Sequence, residues 1–79
     1  MDFEWDDDKS ARNARERGLP FEIATKLFDK STLEWNDRRH EYGERRICAV
    51  GRIGQRCFTC VYTWREGRRR IISLRKASP

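Results

Sequence analysis

Seventy-nine residues, a net charge of +5 and a mean hydropathy of −0.99 describe one small domain, residues 1–79, with a single modest core. A chain of this length buries only roughly 60–65% of the surface its unfolded form exposes. No apolar run approaches the ~20 residues of a membrane-spanning helix, and the acidic opening "MDFEWDDDKS" lacks the apolar segment of a signal peptide. The expectation is a soluble, cytoplasmic protein with no membrane partner.

Charge is unevenly spread. Residues 1–37 carry ten acids and six bases, a net of −4, whereas residues 38–79 carry three acids and twelve bases, a net of +9. Eleven of those twelve bases are arginine. The planar donor fork of arginine suits phosphate, while lysine would serve equally well for solubility alone. The asymmetry therefore points to an anionic partner, nucleic acid above all, for the second half. A merely solvated basic face is the competing reading.

In chain order, "FEW" (3–5) is a candidate short edge strand. "DDDKSARNARERG" reads as a helix with Asp6 or Asp7 as N-cap, acids in its first turn, Arg15 and Arg17 near its end, and Gly18 as the stop. Pro20 opens a second helix, "PFEIATKLFDK", whose Phe21, Ala24, Leu27 and Phe28 form a core stripe. The period then becomes strand-like. "TLEWN" (32–36), "ERRICAVGR" (44–52), "RCFTCVYTWR" (56–65) and "RRRIISLR" (68–75) are four strands. A polar loop spans 37–43, and tight turns fall at Gly54 and at Glu66-Gly67. No internal repeat appears.

The expected fold class is α+β: two N-terminal helices packed on a mainly antiparallel sheet of about four strands, with one sheet face covered and the other open. Alternation places Phe58, Cys60, Tyr62 and Trp64 toward the helices and Cys57, Thr59, Val61, Thr63 and Arg65 outward. On the last strand it groups Ile72 with Leu74, and Ile71 with Ser73 and Arg75. Arg70 and Arg75 then fall on opposite faces unless the strand twists or bulges. Outward Thr, Ser and Arg side chains make a polar, cationic platform.

The three cysteines are an odd number for a disulfide framework. Cys57 and Cys60 have the spacing of a zinc half-site, but positions three apart on a strand point to opposite faces. Three buried or half-buried free thiols are expected, with no metal and no cofactor.

Several blocks of the sequence resemble one family. Phe3-x-Trp5-Asp6-x-x-Lys9-x-x-x-Asn13-x-x-x-x-Gly18 opens the chain and is followed by Phe21-Glu22, Ala24 and Leu27-Phe28-Asp29. Further on come Asp37-x-x-His40-x-x-x-Glu44-Arg45, an apolar strand ending in Gly51, Val61-Tyr62-Thr63, and Arg70-Ile71-Ile72-Ser73-x-Arg75-Lys76-Ala77. Together these are similar to the BrnT family, the ribonuclease toxins of a bacterial type II toxin–antitoxin system. Arg17 stands where members usually have histidine, and Leu74 where alanine is common. Many members also continue beyond the position of Pro79 into another short helix.

The resemblance implies a RelE-like fold, RNA cleavage that arrests growth, and a cognate DNA-binding, BrnA-type antitoxin. It implies a 2:2 heterotetramer that reaches promoter DNA only through the antitoxin.

Metal-independent RNA cleavage needs a base for the 2′-hydroxyl, an acid for the leaving 5′-oxygen and cations for the phosphorane-like transition state. The candidate catalytic residues are Arg75, Arg65, Arg70, His40, Glu44 and Thr63. Arg75, grouped with Ser73, Thr63 and Arg65, ranks first. His40 is the sole histidine, and an imidazole is the natural acid–base group at neutral pH. Glu44 is a candidate base, or a partner that orients Arg45. The candidate RNA-binding residues are Arg45, Arg46, Ser73, Lys26, Lys76 and Tyr62. Tyr62 is also a possible proton donor, with packing as its default role, and Arg68 and Arg69 read as a solvated turn. Two rivals stay open: a basic RNA- or DNA-binding module without cleavage, and a subunit whose basic sheet recruits an acidic protein.

Overall fold

In the computed structural model, which describes residues 2–39, 41 and 43–77, the chain begins with a short strand, β1 (Phe3–Trp5), and a helix, α1 (Asp7–Arg17). A 3₁₀ turn (Phe21–Ile23) runs into the single turn of α2 (Ala24–Leu27). Four strands follow: β2 (Leu33–Asn36), β3 (Ile47–Ile53), β4 (Arg56–Arg65) and β5 (Arg68–Lys76). No helix among the described residues is long and apolar enough to cross a membrane.

The sheet has five strands in the order β1-β5-β4-β3-β2. β2 to β5 form an antiparallel meander, while β1 lies parallel to β5. The expected four-stranded sheet is thus corrected to a mixed five-stranded one. Three residues suffice for β1 because β5 offers it an open edge, where the Arg69 amide donates to the Asp2 carbonyl at 3.1 Å. Arg45 and Arg46, expected to open the second strand, precede β3 instead.

α1 forms where its caps require. The Asp6 carboxylate accepts from the amides of Asp8 (2.9 Å) and Lys9 (3.2 Å), and Gly18 closes the helix at φ 71°. The second helix is shorter than the expected 20–30. Thr25 turns its hydroxyl back onto the Glu22 carbonyl (2.8 Å), and Phe28 leaves helical geometry where its ring meets Arg69.

Both helices cover one face of the sheet. Leu19, Phe21, Ala24 and Leu27 pack on Ala49, Phe58, Cys60, Tyr62, Ile71 and Leu74. The approach is close at Gly51, where a Cβ would lie 2.9 Å from Leu27 Cδ1 and 3.0 Å from Thr32 Cγ2. At the β4–β5 turn, Glu66 and Gly67 both have positive φ, 53° and 77°, as a two-residue turn with right-handed strand twist requires.

The pairing of β4 with β5 slips between Val61 and Tyr62: Val61 faces Ser73, whereas Tyr62 faces Ile71. Ile72 is the extra residue of a β-bulge. Ile71, not Ile72, therefore shares the core face with Leu74, which corrects the alternation expected for this strand. The same slip returns Arg70 to the face of Arg75, since Arg70 faces Thr63 and Arg75 faces Thr59.

The opening sequence block has a structural rationale. The Asn13 amide donates to the Leu19 carbonyl (2.7 Å) and to the Leu74 carbonyl (2.8 Å), on the part of β5 that β1 does not cover. Ser10, buried, accepts from the Phe21 amide at 2.9 Å. Asn13→Ala is expected to lower stability by about 2–4 kcal/mol, because two partly buried carbonyls lose their donor. Asn13→Asp, which removes the same donors at the same size, should lose a similar amount in urea denaturation.

The thiols separate by exposure. Cys57 is exposed, contrary to the expectation of three covered thiols, while Cys48 and Cys60 are buried. Burial pushes Cys60 up to about 12. Burial first, and then the Asp37 carboxylate, raise Cys48. Iodoacetamide at mildly alkaline pH should therefore modify Cys57 alone in the folded chain and all three after unfolding, as counted by mass spectrometry.

Candidate nucleic-acid interface on the open sheet face

The uncovered face of the sheet is built in rows set by register. One row is Leu33, Val50, Thr59 and Arg75; the next is Trp35, Cys48, Val61 and Ser73; a third pairs Thr63 with Arg70 and Glu4. Cys48 and Val61 are buried although no helix among the described residues lies on this side. Longer neighbours rise around them and form a groove of about 360 Å³. Trp35, Asp37, Arg38 and Arg39 border it on one side and Arg75 on the other, with Cys48, Thr59 and Val61 inside. Three guanidinium groups against one carboxylate make it cationic.

Asp37 anchors the groove's rim. Its side chain is 1% exposed and accepts from Arg39 through both oxygens, at 2.9 Å each. Its amide donates to the Arg46 carbonyl (2.8 Å), extending the β2–β3 pairing by one rung. A second depression of about 760 Å³ shares Asp37, Arg38 and Arg39 and continues along Glu41, Gly43, Glu44 and Arg45. The cationic surface thus runs from β5 across the sheet into the 37–46 segment. Among the described residues, no group of three or more His, Cys, Asp or Glu side chains is placed to hold a metal ion.

The candidate residues fall into separate places. Arg75 lies exposed in the groove, with Ser73 half-buried in the neighbouring row. Arg70 is on the same face, but its Nη1 donates to Glu4 Oε2 at 2.8 Å, a half-buried pair that ties β5 to β1. Thr63 is buried, and its hydroxyl donates to the Arg45 carbonyl (2.6 Å), pinning the lead-in to β3. Arg65 sits exposed at the hairpin end opposite Arg68. Arg45 borders the second depression, as does Glu44. Glu44 accepts from Arg46 Nε at 3.2 Å, so its partner is Arg46 and not the expected Arg45. His40 lies outside the described residues.

Three candidates stand apart from the groove. Tyr62 is in the helix-side core and donates its hydroxyl to Glu34. Burial, and then this bond, raise its pKa. Lys26 is exposed on α2, in the helix layer. Lys76 ends β5 opposite Phe58, in the helix-side row.

Arg69 corrects the expectation of a solvated arginine turn. It is only 8% exposed, and its guanidinium carbon lies 3.9 Å from the Phe28 ring centroid, 4.7 Å from Tyr62, 4.8 Å from Trp64 and 5.9 Å from Phe3. The tilted and edge-on packing of those rings closes a cage around it.

Trp35, Arg38, Arg39 and Thr59 complete the groove and were not singled out from the sequence. The available signal was the alternation of Leu33 and Trp35 on an edge strand, which puts two large apolar side chains on the open face. The arginines of the 37–46 segment had no periodicity to place them.

Fold and groove define a class: a small α+β protein with helices on one face of its sheet and an arginine-lined groove on the other. The sequence profile of the family described as ribonuclease toxin, BrnT, of type II toxin–antitoxin system matches residues 5–79. The chain belongs to that family. No curated individual protein matches it.

Proposed function

We propose that this chain is a metal-independent endoribonuclease whose open sheet face binds and cuts RNA, arresting growth until a cognate antitoxin neutralises it. The observation that carries this reading is the groove that brings Arg75 together with Arg38 and Arg39 on the uncovered face. In the proposed reaction the RNA 2′-oxygen attacks the adjacent phosphorus, forming the 2′-O–P bond as the P–O5′ bond breaks. The 2′-hydroxyl proton passes to a base and a proton is delivered to the 5′-oxygen, leaving a 2′,3′-cyclic phosphate and a 5′-hydroxyl. Arg75 faces the developing phosphorane charge as a preorganised donor. Glu44, in the depression that adjoins the groove, and His40, by its chemistry alone, are the acid–base candidates. Arg45 and Arg46 track the RNA backbone.

The RelE-like fold implied by the family is broadly compatible with helices backing a mostly antiparallel sheet, to which β1 adds a parallel edge strand. The antitoxin is proposed to be of the BrnA type, in a 2:2 complex that contacts promoter DNA only through the antitoxin. Its cover over this face would stabilise a small domain by mass action.

A second reading, a basic RNA- or DNA-binding module without cleavage, is favoured by one observation. Thr63, Tyr62 and Arg70 all spend their polar groups on the fold itself. Inducible expression in a bacterial host separates the two. Growth arrest with shortened cellular RNA, relieved by co-expression of the antitoxin, is the expected result. Unchanged growth and intact RNA would favour the binding module.

A further inference from the structure

Trp35 is 48% exposed on the open face, where it borders the groove with Arg38, Arg39 and Asp37 and is the one aromatic ring among the groove's lining residues. Its row runs from bulky to small, Trp35, Cys48, Val61, Ser73, so its own row places no large side chain beside the indole toward the middle of the sheet. Arg75 rises at the far side of the same groove, three strands away and one row over, about 16 Å at the backbone. Both side chains are long enough to narrow that gap to the scale of one nucleotide. Arg38 and Arg39 stand on the indole's own side. A flat apolar surface beside separated cations is complementary to a base with its flanking phosphates.

We propose that Trp35 is the nucleobase-stacking residue of this face: one base of a single-stranded RNA lies on the indole while a neighbouring phosphate meets Arg75. This deepens the RNA-binding reading above and rests on it. Stacking is tolerant of base identity, because every base offers a π-face. Trp35 therefore sets where the strand is held, and discrimination among bases comes from elsewhere. Stacking also needs an unpaired base, so a fully duplex RNA would be a poor ligand.

The test uses the full chain and a short, labelled 2′-O-methyl RNA of mixed sequence, which lacks the nucleophilic hydroxyl and reports binding without cleavage. Trp35→Ala is expected to weaken binding about 5- to 150-fold, while Trp35→Phe keeps most of it. The dependence of affinity on salt should keep its slope, since the phosphate contacts remain. Moving a single abasic position along the RNA adds a second readout. The wild type should lose affinity sharply at one position, and Trp35→Ala should be indifferent there. Equal binding by wild type and Trp35→Ala, with cleavage of natural RNA also unchanged, would overturn the inference and leave the ribonuclease reading standing. The same holds if Trp35→Ala weakens only antitoxin binding, which would make the indole a protein contact. Failure of the wild type to bind or cut any RNA would remove both.

Discussion

Arg75→Ala is expected to lower RNA cleavage by about 10²–10³-fold while leaving the circular dichroism spectrum and urea midpoint unchanged. The two halves of this expectation have separate grounds. Arg75 is exposed and faces Thr59 across the strand pair, and in the groove it gathers with Arg38 and Arg39. A guanidinium aimed at developing phosphorane charge acts in the transition state more than in the ground state, so kcat should fall more than KM rises. Arg75→Lys should recover only part of the loss, because the ammonium keeps the charge without the two-pronged geometry. Arg70→Ala gives the contrast. Its guanidinium is held by Glu4 between β5 and β1, so that substitution should shift the urea midpoint as well as activity. Equal loss of activity and stability in Arg75→Ala would place Arg75 with Arg70, among residues that hold the sheet together.

Arg69→Ala should be the most damaging single change to stability, about 3–5 kcal/mol in urea denaturation. A domain of this size holds roughly 4–12 kcal/mol in total, so much of the chain would unfold at ordinary temperature. Three contributions add. The guanidinium sits over Phe28, Tyr62 and Trp64 in a desolvated cage, where cation–π contacts are strong. Its aliphatic stem fills space between β5 and the rings, and truncation leaves a cavity. It also offsets Glu34, which reaches the same cluster through the Tyr62 hydroxyl. Arg69→Lys keeps the charge but loses the planar stack, so an intermediate loss is expected. An alanine variant as stable as the wild type would show that the cage forms without its cation.

The boundaries of α1 could be read from sequence because local chemistry sets them: Asp6 bonds the first amides and Gly18 supplies the left-handed stop. The two tight turns and the meander were legible for the same reason. Pairing details were not. An ideal period-two strand puts Ile72 with Leu74 and separates Arg70 from Arg75. The bulge that reverses both depends on how β5 meets β4, which no local pattern records. "FEW" became a true strand only because β5 had a free edge for it.

The charge pattern is legible in aggregate, and the place of each arginine is not. The excess of arginine in the second half does mark the open face, yet three adjacent arginines have three different fates. Arg68 stays exposed at the hairpin, Arg69 is buried among rings, and Arg70 pairs with Glu4. Sequence shows the run, and only packing tells them apart. The groove itself joins β5 to residues 35–39 across three strand pairings, so its composition emerges with the tertiary fold.

The proposed activity is RNA cleavage on this face by the RNA's own 2′-hydroxyl. Its most direct test is incubation of a mixed RNA with the purified chain in excess EDTA, followed by analysis of the product ends. The expected result is cleavage to 2′,3′-cyclic phosphate and 5′-hydroxyl ends, blocked at any position carrying a 2′-deoxy sugar. Salt-sensitive binding with no cutting, or products with 3′-hydroxyl and 5′-phosphate ends, would contradict it.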